Sequence, residues 1–430
     1  MSATSRVLVV DDSAFMRKII CDLIAGDSQF TIIGTAKDGR EAIEAVREHK
    51  PDVVTMDLEM PEMNGLEAVE RIMRIYPVPI IMMSSISDDG TRETIKALQN
   101  GAFDFIRKPA GPQSPDIRSV GEQLLEKLRV AAMTKRHSKF YVSGIAPPRN
   151  AGAITKPAVS PPPPKQKPDK RSAGKAERKE MPALLEPLAE QAEPNVRHPA
   201  AEEKPAAGAG KELARSQTAA SNEPEPPLQP MDKPKPSKAF QHLVAIGTST
   251  GGPRALHEVI SSLPKDFPAP VLVVQHMPPK FTRSLAQRLD SFSALHVREA
   301  EQGERVFAGV VYVAPGGYHM ELAKVGGSYS IKLTEDAPRS GHRPSVDTMF
   351  ESCAEFPELR RHAVLMTGMG NDGAKGMLRL NDCGGESAIA ESEETCVVYG
   401  MPRSAVEAGA AKAVLRLKEI APALVQAVSK

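Results

Sequence analysis

Asp11 and Asp12 follow the apolar run VLVV, Asp57 follows VVTM, Ser84 closes IIMMS, and Lys108 stands just before Pro109. If those runs are parallel strands, all five groups open on one sheet edge, the crevice where open α/β sheets bind ligands. Three carboxylates in a small volume repel one another unless a cation joins them. An all-oxygen ligand set suits Mg²⁺, which keeps several waters. The chemistry assembled in this way is phosphoryl transfer to a carboxylate. Asp57 would be the nucleophile, the metal would neutralise phosphoryl oxygens, and Lys108 would pair with the product. A single Asp after a strand is ordinarily a helix cap, and Asp12 could cap a helix starting near Ser13. The coincidence of five such groups on one edge outweighs that reading.

A second constellation lies far along the chain. LVAIGTSTGG runs from a strand into a Gly-rich turn and a helix near Pro253, placing Ser249 in a G-x-S-x-G pattern. The helix would aim free N–H groups and its positive dipole end at the site. Alone, the pattern fits a phosphate-binding turn or a simple helix cap as well. Two further strand ends favour acyl transfer: VLVVQH sets His276 after a strand, and AVLMTGMGND sets Asp372 in a Gly-rich loop after another. Ser249 would attack, His276 would carry the proton, and Asp372 would fix the imidazole. The order Ser, His, Asp differs from that of α/β-hydrolases. Other candidates are His342 with Asp347 as its partner, the weaker His319, and Cys353, which reads as core in an apparent helix Val346–Glu355.

These groups need parallel sheets to bring them together. In the first region Arg6–Val10, Thr31–Thr35, Asp52–Met56, Ile80–Ser84 and Asp104–Ile106 read as strands. Between them lie amphipathic helices such as Arg40–Glu48 and Gly65–Ile75, and a last helix runs from Ile117 to about Arg136. Strands alternating with helices predict a parallel sheet covered on both faces. From Ala239 the pattern returns, with strands Leu243–Gly247, Val271–Gln275, Val310–Ala314 and Ala363–Thr367 and helices Pro253–Leu263 and Phe281–Ser291. Residues 138–238 are rich in Pro, Ala, Lys and Glu, a composition that cannot bury enough apolar surface to order itself. They read as a disordered tether, with Met181–Leu188 as one candidate transient helix. The organisation is therefore 1–137, 138–238 and 239–430.

Composition narrows the function classes. The 430 residues carry a formal net charge of +1, no Trp and 4% aromatics, which gives no case for nucleic-acid binding. No apolar run reaches membrane-spanning length or forms a secretory leader. Cys21, Cys353, Cys383 and Cys396 are scattered without CxxC spacing, which fits a reducing cytoplasm.

VLVVDDSAFMRK, MDLEMPEMNGLE, MMSS and GAFDFIRKP resemble the response-regulator receiver domain of two-component signalling, over roughly residues 5 to 125. The resemblance implies a flavodoxin-like five-strand fold, Asp57 as phosphoacceptor and a histidine kinase as phosphodonor. It implies Mg²⁺ held by Asp11, Asp12, Asp57 and the backbone carbonyl of Glu59, with Lys108 pairing the phosphate. Ser84 and Phe105 look like the hydroxyl and aromatic groups that report phosphorylation to the far face.

AIGTSTGGPRAL, VVQHMPPKFT, GHRPSVDTMF and TGMGNDGAKGM are similar to the catalytic domain of the chemotaxis protein-glutamate methylesterase family, over about residues 240 to 425. This resemblance implies a doubly wound hydrolase domain without a cofactor, acting on methyl-accepting chemoreceptors in sensory adaptation. Glutamyl methyl esters would be hydrolysed to methanol and glutamate, and specific glutamines deamidated. Ser249, His276 and Asp372 fall on the family's triad, and the N–H groups of Met369 and Thr250 on its oxyanion donors. Receptors of a non-chemotaxis array, or a receptor-binding role without catalysis, are the alternatives. The tether departs from the short linker usual in the family, which weakens the expectation that an unphosphorylated receiver covers the active site.

Overall fold

The computed structural model describes residues 4–108, 117–137 and 240–429. The expected tether and the candidate helix Met181–Leu188 lie outside the described residues.

In the N-terminal region, strands β1 (Ser5–Val10), β2 (Phe30–Ala36), β3 (Val53–Asp57), β4 (Ile80–Ser84) and β5 (Asp104–Arg107) alternate with helices. These are α1 (Ala14–Ala25), α2 (Gly39–His49), α3 (Gly65–Ile75), α4 (Asp88–Gln99) and α5 (Ile117–His137). All pairings are parallel, in the order β2-β1-β3-β4-β5, the flavodoxin-like topology. Both faces are covered. Leu8, Val10, Val54 and Met56 pack to one side, and Val7, Val9, Val53 and Ile81 to the other. This two-sided burial is why the strands read as unbroken apolar runs rather than alternating ones.

The C-terminal region has β6 (His242–Thr248), α6 (Gly252–Ser261), β7 (Val271–Gln275), α7 (Phe281–Asp290), β8 (His296–Glu299) and β9 (Val310–Val313). An antiparallel hairpin follows, β10 (His319–Val325) and β11 (Ser328–Thr334). Then come α8 (Val346–Ala354), β12 (Arg360–Leu365), α9 (Ala374–Asp382), β13 (Ser387–Glu391), α10 (Met401–Glu407), β14 (Ala413–Leu415) and α11 (Leu417–Val428). Among the described residues β14-β13-β12-β6-β7-β9-β8 form one parallel sheet. Its two faces are again both buried: Leu243, Leu272 and Tyr312 lie on one side, and Val244, Val271 and Val311 on the other. The doubly wound expectation holds, and the β10–β11 hairpin is an addition. β6 and β7 are central, so the turns after them open at the middle of the sheet edge.

The two regions belong to one compact unit. α4 packs against α6 and α7, and Phe105 of β5 stacks on Phe281 with ring centroids 4.5 Å apart.

Candidate functional site

The β1 and β3 ends bring Asp11, Asp12 and Asp57 together, with one carboxylate oxygen from each lying within 4.8 Å of the others. Asp11 and Asp57 are buried. Lys108, just past β5, reaches both, with Nζ 3.0 Å from Asp11 Oδ2 and 2.6 Å from Asp57 Oδ2. Burial pushes the Asp57 carboxyl up to about 6, against the pull of Lys108. Burial also works against the Lys108 ammonium, but Asp57 and Asp11 hold it above its ordinary value. The Glu59 N–H donates to Asp57 Oδ1 at 3.3 Å. Asp12 is not a helix cap: the Ser13 hydroxyl caps α1 by accepting from Met16 N–H. Ser84 is fully buried, and its hydroxyl lies 2.6 Å from Thr94 Oγ1 of α4. Phe105 is buried against the C-terminal region.

Strand register places the second constellation. Thr248 pairs with Gln275, so Ser249 and His276 each stand one residue beyond a matched pair on neighbouring strands. The His276 N–H donates to the Thr248 carbonyl at 3.1 Å, and the Ser249 N–H to the Thr367 carbonyl, past β12, at 3.0 Å. Gly368 allows this approach, because a Cβ there would lie 2.8 Å from Ser249 Cβ. The loop then carries Asp372 to His276, with Nε2 and Oδ2 2.8 Å apart. His276 Nδ1 is buried and has no hydrogen-bond partner among the described residues.

Asp372 is held by the start of α8. It accepts from the Ser345 hydroxyl and from the N–H groups of Val346 and Asp347 at 2.9, 2.7 and 3.1 Å. Burial opposes its charge, but His276 and these N–H donors keep its carboxyl below the ordinary value. Asp347 reciprocates at the start of α9, accepting from Gly373 and Gly376 N–H at 2.9 and 2.6 Å. It is therefore committed to capping rather than to His342. The His342 ring lies flat on His276, with centroids 3.7 Å apart and planes at 9°. Burial, and then His276, drop its pKa to about 4, so it is a neutral face and a poor base near pH 7.

His319 is occupied by the Ala337 carbonyl and the Ser345 N–H. Cys353 is core, its thiol pushed up to about 12 by burial. The turn differs from a strained nucleophile elbow: among the described residues Ser249 takes no positive φ, and the left-handed position is Gly251 at φ 81°. The N–H groups of Thr250 and Met369 donate to no backbone carbonyl among the described residues.

Sequence reasoning missed two contacts at this edge. Gln275 Nε2 donates to the Ser249 carbonyl at 2.9 Å. The Thr250 hydroxyl donates to Asp104 Oδ2 at 2.6 Å, and Lys127 Nζ of α5 sits 2.6 Å from the same oxygen. The only signal for the first was a polar residue ending an otherwise apolar strand. No local signal existed for the second.

Known proteins show the same two-part organisation. Residues 7–122 match the response regulator receiver domain and residues 244–424 the CheB methylesterase family. A protein-glutamate methylesterase/protein-glutamine glutaminase from Geobacillus kaustophilus is 41% identical over 427 residues, covering 99% of both chains. One of the same name from Thermotoga maritima is 40% identical, covering 98% of both. The solved catalytic domain of Thermotoga maritima CheB methylesterase is 48% identical, covering 44% of this chain and 99% of that one, with a TM-score of 0.43. Fold and matches define a response regulator whose effector is an α/β methylesterase domain. The chain belongs to the protein-glutamate methylesterase/protein-glutamine glutaminase family.

Proposed function

We propose that this chain is a phosphorylation-activated serine hydrolase that removes methyl esters from chemoreceptor glutamates, releasing methanol, and deamidates receptor glutamines. The observation that carries this reading is the placing of Ser249 and His276 at the ends of adjoining strands with Asp372 bonded to His276, and receiver residue Asp104 bonded to Thr250 beside the serine.

The Ser249 hydroxyl attacks the ester carbonyl while His276 takes its proton at Nδ1, and Asp372 holds the Nε2–H and stabilises the imidazolium. The N–H groups of Thr250 and Met369 receive the developing oxyanion, each such donor contributing roughly 3–4 kcal/mol in comparable enzymes. Collapse breaks the C–O bond, and His276 returns the proton to the leaving methoxide. A water deprotonated by His276 then frees the glutamate and restores Ser249. A glutamine amide follows the same course with ammonia leaving.

In the receiver, Asp57 accepts a phosphoryl group from a histidine kinase. The converging buried carboxylates fit a hard divalent cation. Asp11, Asp12, Asp57 and the Glu59 carbonyl would hold Mg²⁺, which neutralises phosphoryl charge when bound. Lys108 then pairs with the phosphoryl group, and Ser84 leaves Thr94 to do the same.

Methanol release from methylated receptor membranes, with and without a small-molecule phosphodonor and Mg²⁺, tests the whole reading. Phosphodonor should raise the rate, and Ser249→Ala should abolish it while the chain stays folded. Undiminished turnover by Ser249→Ala would sink the assignment.

A further inference from the structure

Gln275 is 3% exposed at the end of an otherwise apolar strand in the middle of the sheet. A buried carboxamide there is costly unless every polar atom is satisfied, and here each one is. Its Oε1 accepts from the Thr248 hydroxyl at 2.7 Å. Its Nε2 donates to the carbonyls of Ser249 and His276 at 2.9 and 3.2 Å. Both Nε2 partners are carbonyl oxygens, which only accept, so the orientation of the amide is unambiguous.

The bond to the Ser249 carbonyl has a geometric consequence. The peptide joining Ser249 and Thr250 is trans, and in a trans peptide the C=O and N–H point in opposite directions. Drawing the Ser249 carbonyl toward β7 therefore aims the Thr250 N–H the other way. The Gly252 N–H also donates to this carbonyl, at 2.8 Å. That donor belongs to the same turn and moves with it, whereas Gln275 ties the turn to the neighbouring strand. A hydrogen bond accepted by the carbonyl also polarises the N–H of the same peptide. The glycine just after the G-x-S-x-G pattern follows from this arrangement, since a Cβ at Gly252 would sit 1.9 Å from Gln275 Oε1.

We infer that Gln275 is a positioning residue for the reaction: it fixes and polarises the peptide whose Thr250 N–H receives the oxyanion. The inference rests on the reading of Ser249 as nucleophile. The test uses the full chain with phosphodonor, comparing wild type, Gln275→Leu and Gln275→Glu. The first variant removes both donated bonds, and the second keeps the acceptor for Thr248 while losing donation to the Ser249 carbonyl. A fluorophosphonate reacted to completion counts chains competent at Ser249, so turnover is expressed per labelled site and misfolded protein drops out.

Both variants should lose roughly ten- to hundredfold in kcat with KM little changed, somewhat less than removal of a whole oxyanion donor. Affinity for a boronic acid that forms a tetrahedral serine adduct should fall by a similar factor. A merely structural role would lower the labelled fraction and leave turnover per site and boronate affinity intact; both values within twofold of wild type would overturn the inference. If wild type is not labelled at Ser249, the nucleophile assignment fails and takes this inference with it, a result distinct from normal labelling with unchanged turnover.

Discussion

Asp372 joins two tasks that a sequence presents as alternatives. In N-D-G it reads as a turn residue, and the structure makes it a cap as well, though for α8 rather than for its own helix. The same carboxylate holds His276, so a structural contact and a chemical one share four acceptor positions. Its counterpart Asp347 caps α9, and the crossed pair locks the loop between β12 and α9. Asp372→Asn keeps the shape but places an amide where two acceptors are required. We expect kcat to fall by about 10³–10⁴-fold through loss of the imidazole's orientation and charge partner. Stability should fall by about 1–2 kcal/mol through the weakened cap. Ester hydrolysis and urea unfolding on the same preparation separate the two effects.

At the scale of elements, the strand ends do most of the positioning. Ser249 and His276 meet because β6 and β7 are neighbours in register, and Asp11 and Asp57 because β1 and β3 are. The opposite edge of the C-terminal sheet carries a different device. His242 at the start of β6 and His362 in β12 are buried, with Nδ1 and Nε2 3.0 Å apart, and His362 Nδ1 lies 2.8 Å from the Ser387 hydroxyl. Burial lowers both pKa values and His242 lowers that of His362 further, to about 4, with Arg360 nearby opposing protonation and Glu386 favouring it. Between the ordinary histidine value near 6.5 and about 4 the unfolded chain binds more protons than the folded one. Stability is therefore complete above that window and is lost as pH falls through it, by on the order of 3 kcal/mol for His362. Urea unfolding at pH 7, 6 and 5 should show the decline, and His362→Gln should flatten it.

At the scale of the molecule, the receiver lies against the hydrolase turn. Asp104 accepts from the Thr250 hydroxyl, Phe105 stacks on Phe281, Thr91 Oγ1 lies 2.8 Å from Ser284 Oγ, and Arg288 donates to Gln99. β5 and α4 supply all of these receiver groups, and Ser84 is tied to α4 through Thr94. A change at Asp57 thus has a short physical route to the interface. A bond to a charged acceptor is worth about 1.5–3 kcal/mol, so Asp104→Asn should raise phosphodonor-free activity roughly tenfold or more. The phosphorylated rate should change little. Basal methanol release checks this, and an unchanged basal rate would show that the Asp104 contact does not hold the receiver in place.

The parallel sheets, the strand ends and the glycine-rich turn after β6 were legible from the chain alone, because they rest on neighbours: apolar runs of strand length, helical spacing, and glycine where the backbone must turn. The same local signals pointed to Asp11, Asp57, Ser249, His276 and Asp372. The tertiary structure decided matters that depend on residues far apart in sequence. His276 and Asp372 are 96 positions apart, and Asp104 and Thr250 are 146. No periodicity links such pairs: the chain favoured His276 over His342 only because it directly follows a strand, and it marked Gln275 only as a polar residue ending an apolar one, without showing what either touches. Those outcomes follow from which strands lie side by side and how far each loop reaches.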